Sequence, residues 1–97
     1  MNQSVHQLGV KLPVAFIKDG KRVIAYTPAL DLSTSGKDVE EAKVRFGEIV
    51  RMFFSDLFEQ GTLDSVLSDL GWEKSNSEWN PPVISQESVN VAIPAFA

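Results

Sequence analysis

Short apolar segments with alternating side-chain directions occupy the first third of the chain. Residues 12–18 and 22–27 are rich in branched and aromatic side chains and predict two β-strands. The Asp19-Gly20 pair between them is typical of a hairpin turn, because both central turn positions are expected to need positive φ angles. A short third strand is expected over residues 31–34, ending before Ser35-Gly36. The pattern therefore predicts a small antiparallel sheet.

A long amphipathic helix is predicted between Asp38 and Gly61. Apolar residues recur there at spacings of three and four, which is the period of one helix face; they are Val39, Ala42, Phe46, Ile49, Val50, Phe53, Phe54, Leu57 and Phe58. Asp38 and Glu41 form an Asp-x-x-Glu capping box, which is expected to satisfy two free backbone donors. Gly61 is the expected left-handed residue after the last turn.

The last third of the chain is less regular. A short helix is predicted over residues 63–70, with Thr62 as its cap and Gly71 at its end. Residues 72–82 are predicted to form a polar loop. Residues 88–93 alternate between apolar and polar side chains and predict a half-buried C-terminal strand. Residues 1–11 are mostly polar and aperiodic, so we expect a flexible tail before a single domain at 12–97. The predicted class is α+β, with a three-to-four-stranded antiparallel sheet, one long helix and one short helix.

Composition limits the functions that fit this domain. The chain has 97 residues, which allows one domain, and it contains no cysteine, which excludes disulfides and thiolate metal sites. No apolar segment suits a signal peptide or a membrane span, so a cytoplasmic protein is expected. The net charge of −4 disfavours general nucleic-acid binding and favours a basic partner.

Candidate catalytic and metal-binding groups are few. His6 is the only histidine, and it lies in the predicted tail, so neither a catalytic triad nor a zinc site is expected. The carboxylates of Asp31, Asp38, Glu40 and Glu41 suggest a Mg²⁺ site at first sight, but two of them have a capping role. No glycine-rich phosphate loop occurs. We therefore predict a protein that is not an enzyme and needs no cofactor or metal.

The apolar stripe of the long helix is wider than a core needs. Phe54 and Phe58 lie on one flank, and two interpretations are open: the second helix covers this flank, or it belongs to a subunit or partner interface. Trp72 and Trp79 pose the same question, since tryptophan is common both in cores and as an interface anchor. Strand exchange through residues 88–93 would add Val89 and Val91 to such an interface.

Residues 25–54 resemble the antitoxin domain of the HicB-like family, and the resemblance extends over about residues 12–74. The matching positions of the family motif are Tyr26, Pro28, Leu30, Thr34, Gly36, Glu41 and Ala42. The resemblance implies a partial ribonuclease H-like fold without a working nuclease site. It also implies a small, basic HicA-like mRNA interferase as partner. The DNA-binding helices common in the family are not expected, because only a loop and a strand are predicted after Gly71-Trp72.

Three functional hypotheses follow from these observations. The leading one is a non-catalytic, HicB-like antitoxin-type module that neutralises a basic HicA-like toxin and forms a dimer or tetramer. An alternative is an orphan HicB-like domain that is a homo-oligomeric interaction protein or binds nucleic acid through Lys18, Lys21 and Arg22 on one sheet face. A third is a vestigial enzyme with Asp31 as a metal ligand. No membrane partner is expected.

Overall fold

The structure is a computed structural model that describes residues 10–95. It confirms the α+β class, with a three-stranded antiparallel sheet packed against a long helix and a short one, and it adds a separate two-stranded sheet. The elements in chain order are β1 (Ala15–Asp19), β2 (Arg22–Thr27), β3 (Leu32–Gly36), α1 (Val39–Gln60), α2 (Leu63–Asp69), β4 (Glu73–Ser75) and β5 (Glu78–Asn80). Most of the predicted tail, with His6, lies outside the described residues. No helix within residues 10–95 is long and apolar enough to cross a bilayer.

The sheet has the order β1-β2-β3, with β2 in the middle. Asp19 pairs with Arg22, so the two loop residues of the first hairpin are Gly20 and Lys21, not Asp19 and Gly20 as predicted. Gly20 has a φ of 61°, whereas Lys21 is not among the residues with positive φ. Only the first central position therefore takes the left-handed conformation, which glycine provides without steric strain.

The two faces of the sheet differ in character. Ala25 and its cross-strand partners Phe16 and Thr34 lie on the face that α1 covers. Ile24, with partners Ile17 and Ser35, lies on the opposite face, which neither helix covers. Strand β3 continues to Gly36, beyond the predicted break, because its last residue still pairs with Val23 of β2.

Helix α1 begins as predicted, with one difference in its capping. The Asp38 side chain accepts a hydrogen bond from the Glu41 backbone N–H at 2.8 Å. The Glu41 carboxylate accepts from the backbone N–H of Lys37, one residue before the cap, also at 2.8 Å. The helix ends at Gly61, whose φ is 68°. Thr62 precedes α2, but its hydroxyl makes no capping bond, so the predicted side-chain cap of α2 is wrong.

The core consists of two clusters on either side of α1's midpoint. One gathers the buried residues Ala25, Ala42 and Phe46 between the sheet and the first half of α1. The other gathers Ala29, Leu30, Leu67 and Trp72, where the β2–β3 turn meets α2. The second helix thus closes the core over the C-terminal half of α1.

Two sequence-based predictions for the C-terminal third are wrong. Residues 72–82 are not a loop throughout, because β4 and β5 form a hairpin around Asn76 and Ser77, with φ angles of 51° and 66°. Both central residues are left-handed, as in the primed hairpin turns that Asn favours. The predicted strand at residues 88–93 does not form in the single chain: residues 83–95 have no regular secondary structure. Alternation marks a strand only where a neighbouring strand is present.

Candidate protein-binding surface

Charge is distributed unevenly along the chain. Residues 1–51 contain eight basic and six acidic residues, whereas residues 52–97 contain one basic and seven acidic residues. The net charges are therefore +2 and −6. All acidic side chains between residues 52 and 80 are exposed; they are Asp56, Glu59, Asp64, Asp69, Glu73 and Glu78. The end of the molecule that is formed by the last turns of α1, by α2 and by the β4–β5 hairpin is the acidic end.

The one basic residue of the acidic end is Lys74. Its ammonium group lies 4.0 Å from a carboxylate oxygen of Asp64 and 5.7 Å from the centre of the Trp79 ring. These contacts link α2 to the hairpin. They offset only one of the exposed carboxylates, so the surface keeps a strong excess of negative charge.

The structure separates the two phenylalanines of the helix flank. Phe54 is half-buried, and its ring packs edge-on against Trp72 with 6.5 Å between ring centres. Phe58, one turn later, is 73% exposed. The second helix and Trp72 therefore cover the flank at Phe54, which favours the intramolecular interpretation there. The flank at Phe58 stays uncovered by any described residue.

Phe58 borders a small surface depression of about 250 Å³ at the α1–α2 junction. The depression is lined by Leu57, Phe58, Gly61, Leu63 and Asp64. Leu57, at the end of the core stripe, and Leu63 contribute apolar side chains to this lining, and Asp64 contributes a carboxylate. An exposed aromatic ring beside an apolar depression, within a field of negative charge, is suited to bind a basic protein surface.

A larger depression of about 730 Å³ lies on the other flank of α1. Its lining contains charged residues of both signs, two arginines and two acidic residues. The lining residues are Thr34, Arg45, Glu48, Ile49, Arg51, Met52, Ser55 and Asp56. Because opposite charges alternate there, this depression has no net attraction for a partner of one sign. It is the weaker candidate of the two.

The tryptophans and valines of the predicted interface occupy different environments. Trp72 is 3% exposed, and its indole N–H donates to the Ala29 carbonyl at 2.8 Å, so it is a core residue. Trp79 is half-buried under Lys74. Val89 and Val91 are exposed. The structure therefore does not bring these four side chains together into one surface.

Most residues of the family motif lie where the sheet contacts the helices. Pro28 and Leu30 form the β2–β3 turn that Trp72 contacts through Ala29, while Gly36 approaches the backbone of Ala42. Thr34 lies in β3 on the helix side of the sheet. Motif residues thus join the sheet to both helices.

Tyr26 and Asp31 form a contact on the uncovered side of the same turn. The Tyr26 hydroxyl donates a hydrogen bond to the Asp31 carboxylate at 3.2 Å. Desolvation, followed by this hydrogen bond and the negative charge of Asp31, raises the pKa of Tyr26 above its ordinary value. Asp31 has a φ of 52°, so it is also a turn residue. No group of three or more His, Cys, Asp or Glu side chains among residues 10–95, with or without Asp31, could hold a metal ion.

The residues proposed for nucleic-acid contact do not share a sheet face. Lys18 pairs with Val23 on the helix side, whereas Arg22 lies on the uncovered side and donates to the Ser35 hydroxyl at 3.2 Å. Lys21 is in the turn. The register therefore scatters the three positive charges around the hairpin tip.

Sequence reasoning missed the acidic end because the total charge was considered without its distribution. A count by halves of the chain was sufficient to find it. None of the family models, curated proteins or solved structures compared with the chain matches it. The HicB-like assignment therefore stays a prediction that is based on the sequence motif.

Proposed function

We propose that this protein is a non-catalytic binding module of the HicB-like antitoxin type, which neutralises a small, basic HicA-like mRNA interferase by protein–protein contact. The observation that carries the proposal is the exposed Phe58 at the acidic end. The family resemblance supplies the class of partner, and the charge of the surface agrees with a basic one.

The binding mechanism follows from charge and apolar burial. The net charge of −6 in residues 52–97 accelerates encounter with a basic surface and orients the two molecules. After encounter, Phe58 supplies an aromatic anchor, because the burial of its ring removes apolar surface from water. The neighbouring depression at Leu57 and Leu63 provides room for an apolar side chain of the partner. The carboxylates around it form the polar rim.

Neutralisation of the interferase by this mechanism requires no catalytic group in this protein. A bound module that covers the active site of an interferase excludes RNA by its volume and by its negative charge, which repels phosphates. The acidic end is suited to this role, since only one basic side chain, Lys74, lies within it.

The proposal requires that a small basic protein is encoded beside this chain, and the test is co-expression of the two. We expect a stable complex and relief of the growth arrest that the partner alone causes. Phe58→Ser should weaken the complex by roughly 30-fold, the effect of an anchor worth about 2 kcal/mol. Met52→Ser is the matched control, since Met52 is a similarly exposed apolar residue (65%) on the other flank of α1.

Charge reversal tests the electrostatic part separately. Asp64→Lys, in the depression beside Phe58, combined with Glu59→Lys should lower the association rate, and this decrease should diminish at high salt. If the wild-type chain neither binds nor neutralises the neighbouring basic protein, the antitoxin role is refuted. If it binds but Phe58→Ser and Met52→Ser behave alike, the surface has been assigned wrongly.

A further inference from the structure

Residues 84–95 form a C-terminal arm in which every residue is exposed; it begins after Val83, which packs against the cluster of Leu67 and Trp72. Its apolar side chains alternate as in a strand, yet Val89, Val91 and Ile93 are 78%, 72% and 78% exposed. Residues 88–95 carry no charge. Exposed, uncharged, alternating residues that are free of regular structure resemble a strand without a partner.

The dimensions of the molecule place the arm outside the body. The principal extents are 70 × 31 × 19 Å, and the Cα radius of gyration is 17.1 Å, whereas a compact chain of this length has about 12.5 Å. An extended segment of 12 residues spans about 40 Å, which is enough to account for most of the excess in the long dimension. Within residues 10–95, no side chain covers Val89, Val91 and Ile93.

The sheet has two free edges, and they are not equally accessible. At the β3 edge, the Arg45 guanidinium donates to the Ser35 backbone carbonyl at 3.3 Å, so α1 already occupies a backbone acceptor there. At the β1 edge, β1 pairs only with β2. Phe16 and Ile17 of β1 are 40% and 45% exposed, one on each face. The β1 edge therefore offers both free backbone groups and uncovered apolar side chains.

We infer that the arm of one molecule adds as a fourth strand to the β1 edge of a second copy, and that the exchange is reciprocal. We assign the β1 edge to the arm of a second copy because that arm carries the alternating apolar side chains that a strand beside β1 needs, and because the arm is fully exposed and pairs with no strand within its own described residues. Val89, Val91 and Ile93 lie on the helix side and cover Phe16, while Ser88 and Asn90 lie on the open side. The pairing brings no like charges together, since residues 88–95 are uncharged.

This inference does not depend on the proposed toxin-binding function, because the arm and the acidic end are different surfaces. Two copies exchange two arms, so each dimer gains two added strands and a closed twofold symmetry. The acidic ends remain free in such a dimer, and the assembly would present two partner-binding surfaces.

The first experiment measures molar mass in solution by size exclusion with light scattering. We expect a dimer for the full chain and a monomer for Val91→Asp, with the far-ultraviolet circular dichroism of the body retained. Ile84→Asp is the matched control: Ile84 is 99% exposed in the arm but lies outside the alternating residues, and this variant should stay dimeric. A monomeric wild-type chain, or a Val91→Asp variant that is still dimeric, overturns the inference.

The second experiment identifies the sheet edge that receives the arm. Because the chain contains no cysteine, any disulfide must form between the introduced residues. A mixture of Phe16→Cys and Val91→Cys chains, oxidised after exchange, should give a covalent heterodimer. A mixture of Thr34→Cys and Val91→Cys chains probes the β3 edge and should give none, although Thr34 lies on the same sheet face as Phe16. Cross-linking through Thr34→Cys alone would overturn the assignment of β1 as the receiving edge. Retained toxin neutralisation by monomeric Val91→Asp would separate this result from the test of Phe58.

Discussion

Gly36 provides the sharpest test of the packing between the sheet and α1. It is the last residue of β3, and its φ is not positive, so an L side chain fits its backbone conformation. The close approach of β3 to α1, however, leaves no room for a side chain at this position. A Cβ atom at this position would lie 2.5 Å from the Ala42 nitrogen, 2.9 Å from the Glu41 carbonyl carbon and 3.0 Å from the Ala42 Cα. All three are backbone atoms of the first turns of α1, which a rotamer change cannot move.

The loss of stability caused by Gly36→Ala can be worked out from the movement that the added methyl group requires. To reach ordinary contact distances, β3 and the start of α1 have to separate by about 1 Å, and overpacking of this kind destabilises by about 1–3 kcal/mol. The same movement strains the Asp38–Glu41 cap, worth about 1 kcal/mol. Gly36→Ala should therefore lower the free energy of unfolding by about 2–4 kcal/mol. For a domain of this size the melting midpoint should fall by roughly 10–25 °C.

Gly47→Ala is the matched control, because it adds the same methyl group in the interior of α1. Its Cβ would meet only the end of the Arg51 side chain, at 3.4 Å. Replacing a helical glycine by alanine stabilises by about 0.5–1 kcal/mol, so the melting midpoint should rise. Thermal unfolding followed by circular dichroism compares the two variants directly. The packing argument is refuted if Gly36→Ala melts like wild type, or if both variants shift in the same direction.

Three further predictions concern single contacts. Trp72→Phe leaves the buried Ala29 carbonyl without its donor and should lower the urea midpoint by the equivalent of about 1–3 kcal/mol, with an unchanged slope. Asp38→Ala should lower stability by about 1 kcal/mol and Asp38→Asn by much less; equal losses would contradict the cap. Because the folded-state pKa of Tyr26 is raised, its contribution to stability is complete below the ordinary tyrosine pKa, about 10, and is lost as pH rises through the folded value. Asp31→Asn should shift the ultraviolet titration of this single tyrosine to lower pH, and an unshifted curve would contradict the contact.

The elements that sequence predicted correctly are those whose signals are local. The period of α1 and its Gly61 end depend on residues within a few positions, and so does the strand pair around Gly20. The β4–β5 hairpin was missed because Asn76-Ser77 lacks the glycine that usually marks a primed turn. The predicted strand at 88–93 is wrong for the single chain. Alternating apolar and polar residues show that a segment suits a strand, but they do not show whether another strand is available to pair with it.

The candidate site shows the same division between local and long-range information. Periodicity placed Phe54 and Phe58 on one flank, but it could not separate them, since they lie one turn apart on the same line. The separation arises from a contact between distant parts of the chain: the Trp72 indole N–H reaches Ala29, 43 positions earlier, and this bond fixes the ring against Phe54. Trp72 and α2 thereby stop one turn short of Phe58. Of the two phenylalanines, Phe58 is the one that the core leaves uncovered, and it lies beside an apolar depression at the acidic end; this combination is the reason to test Phe58 before any other exposed side chain.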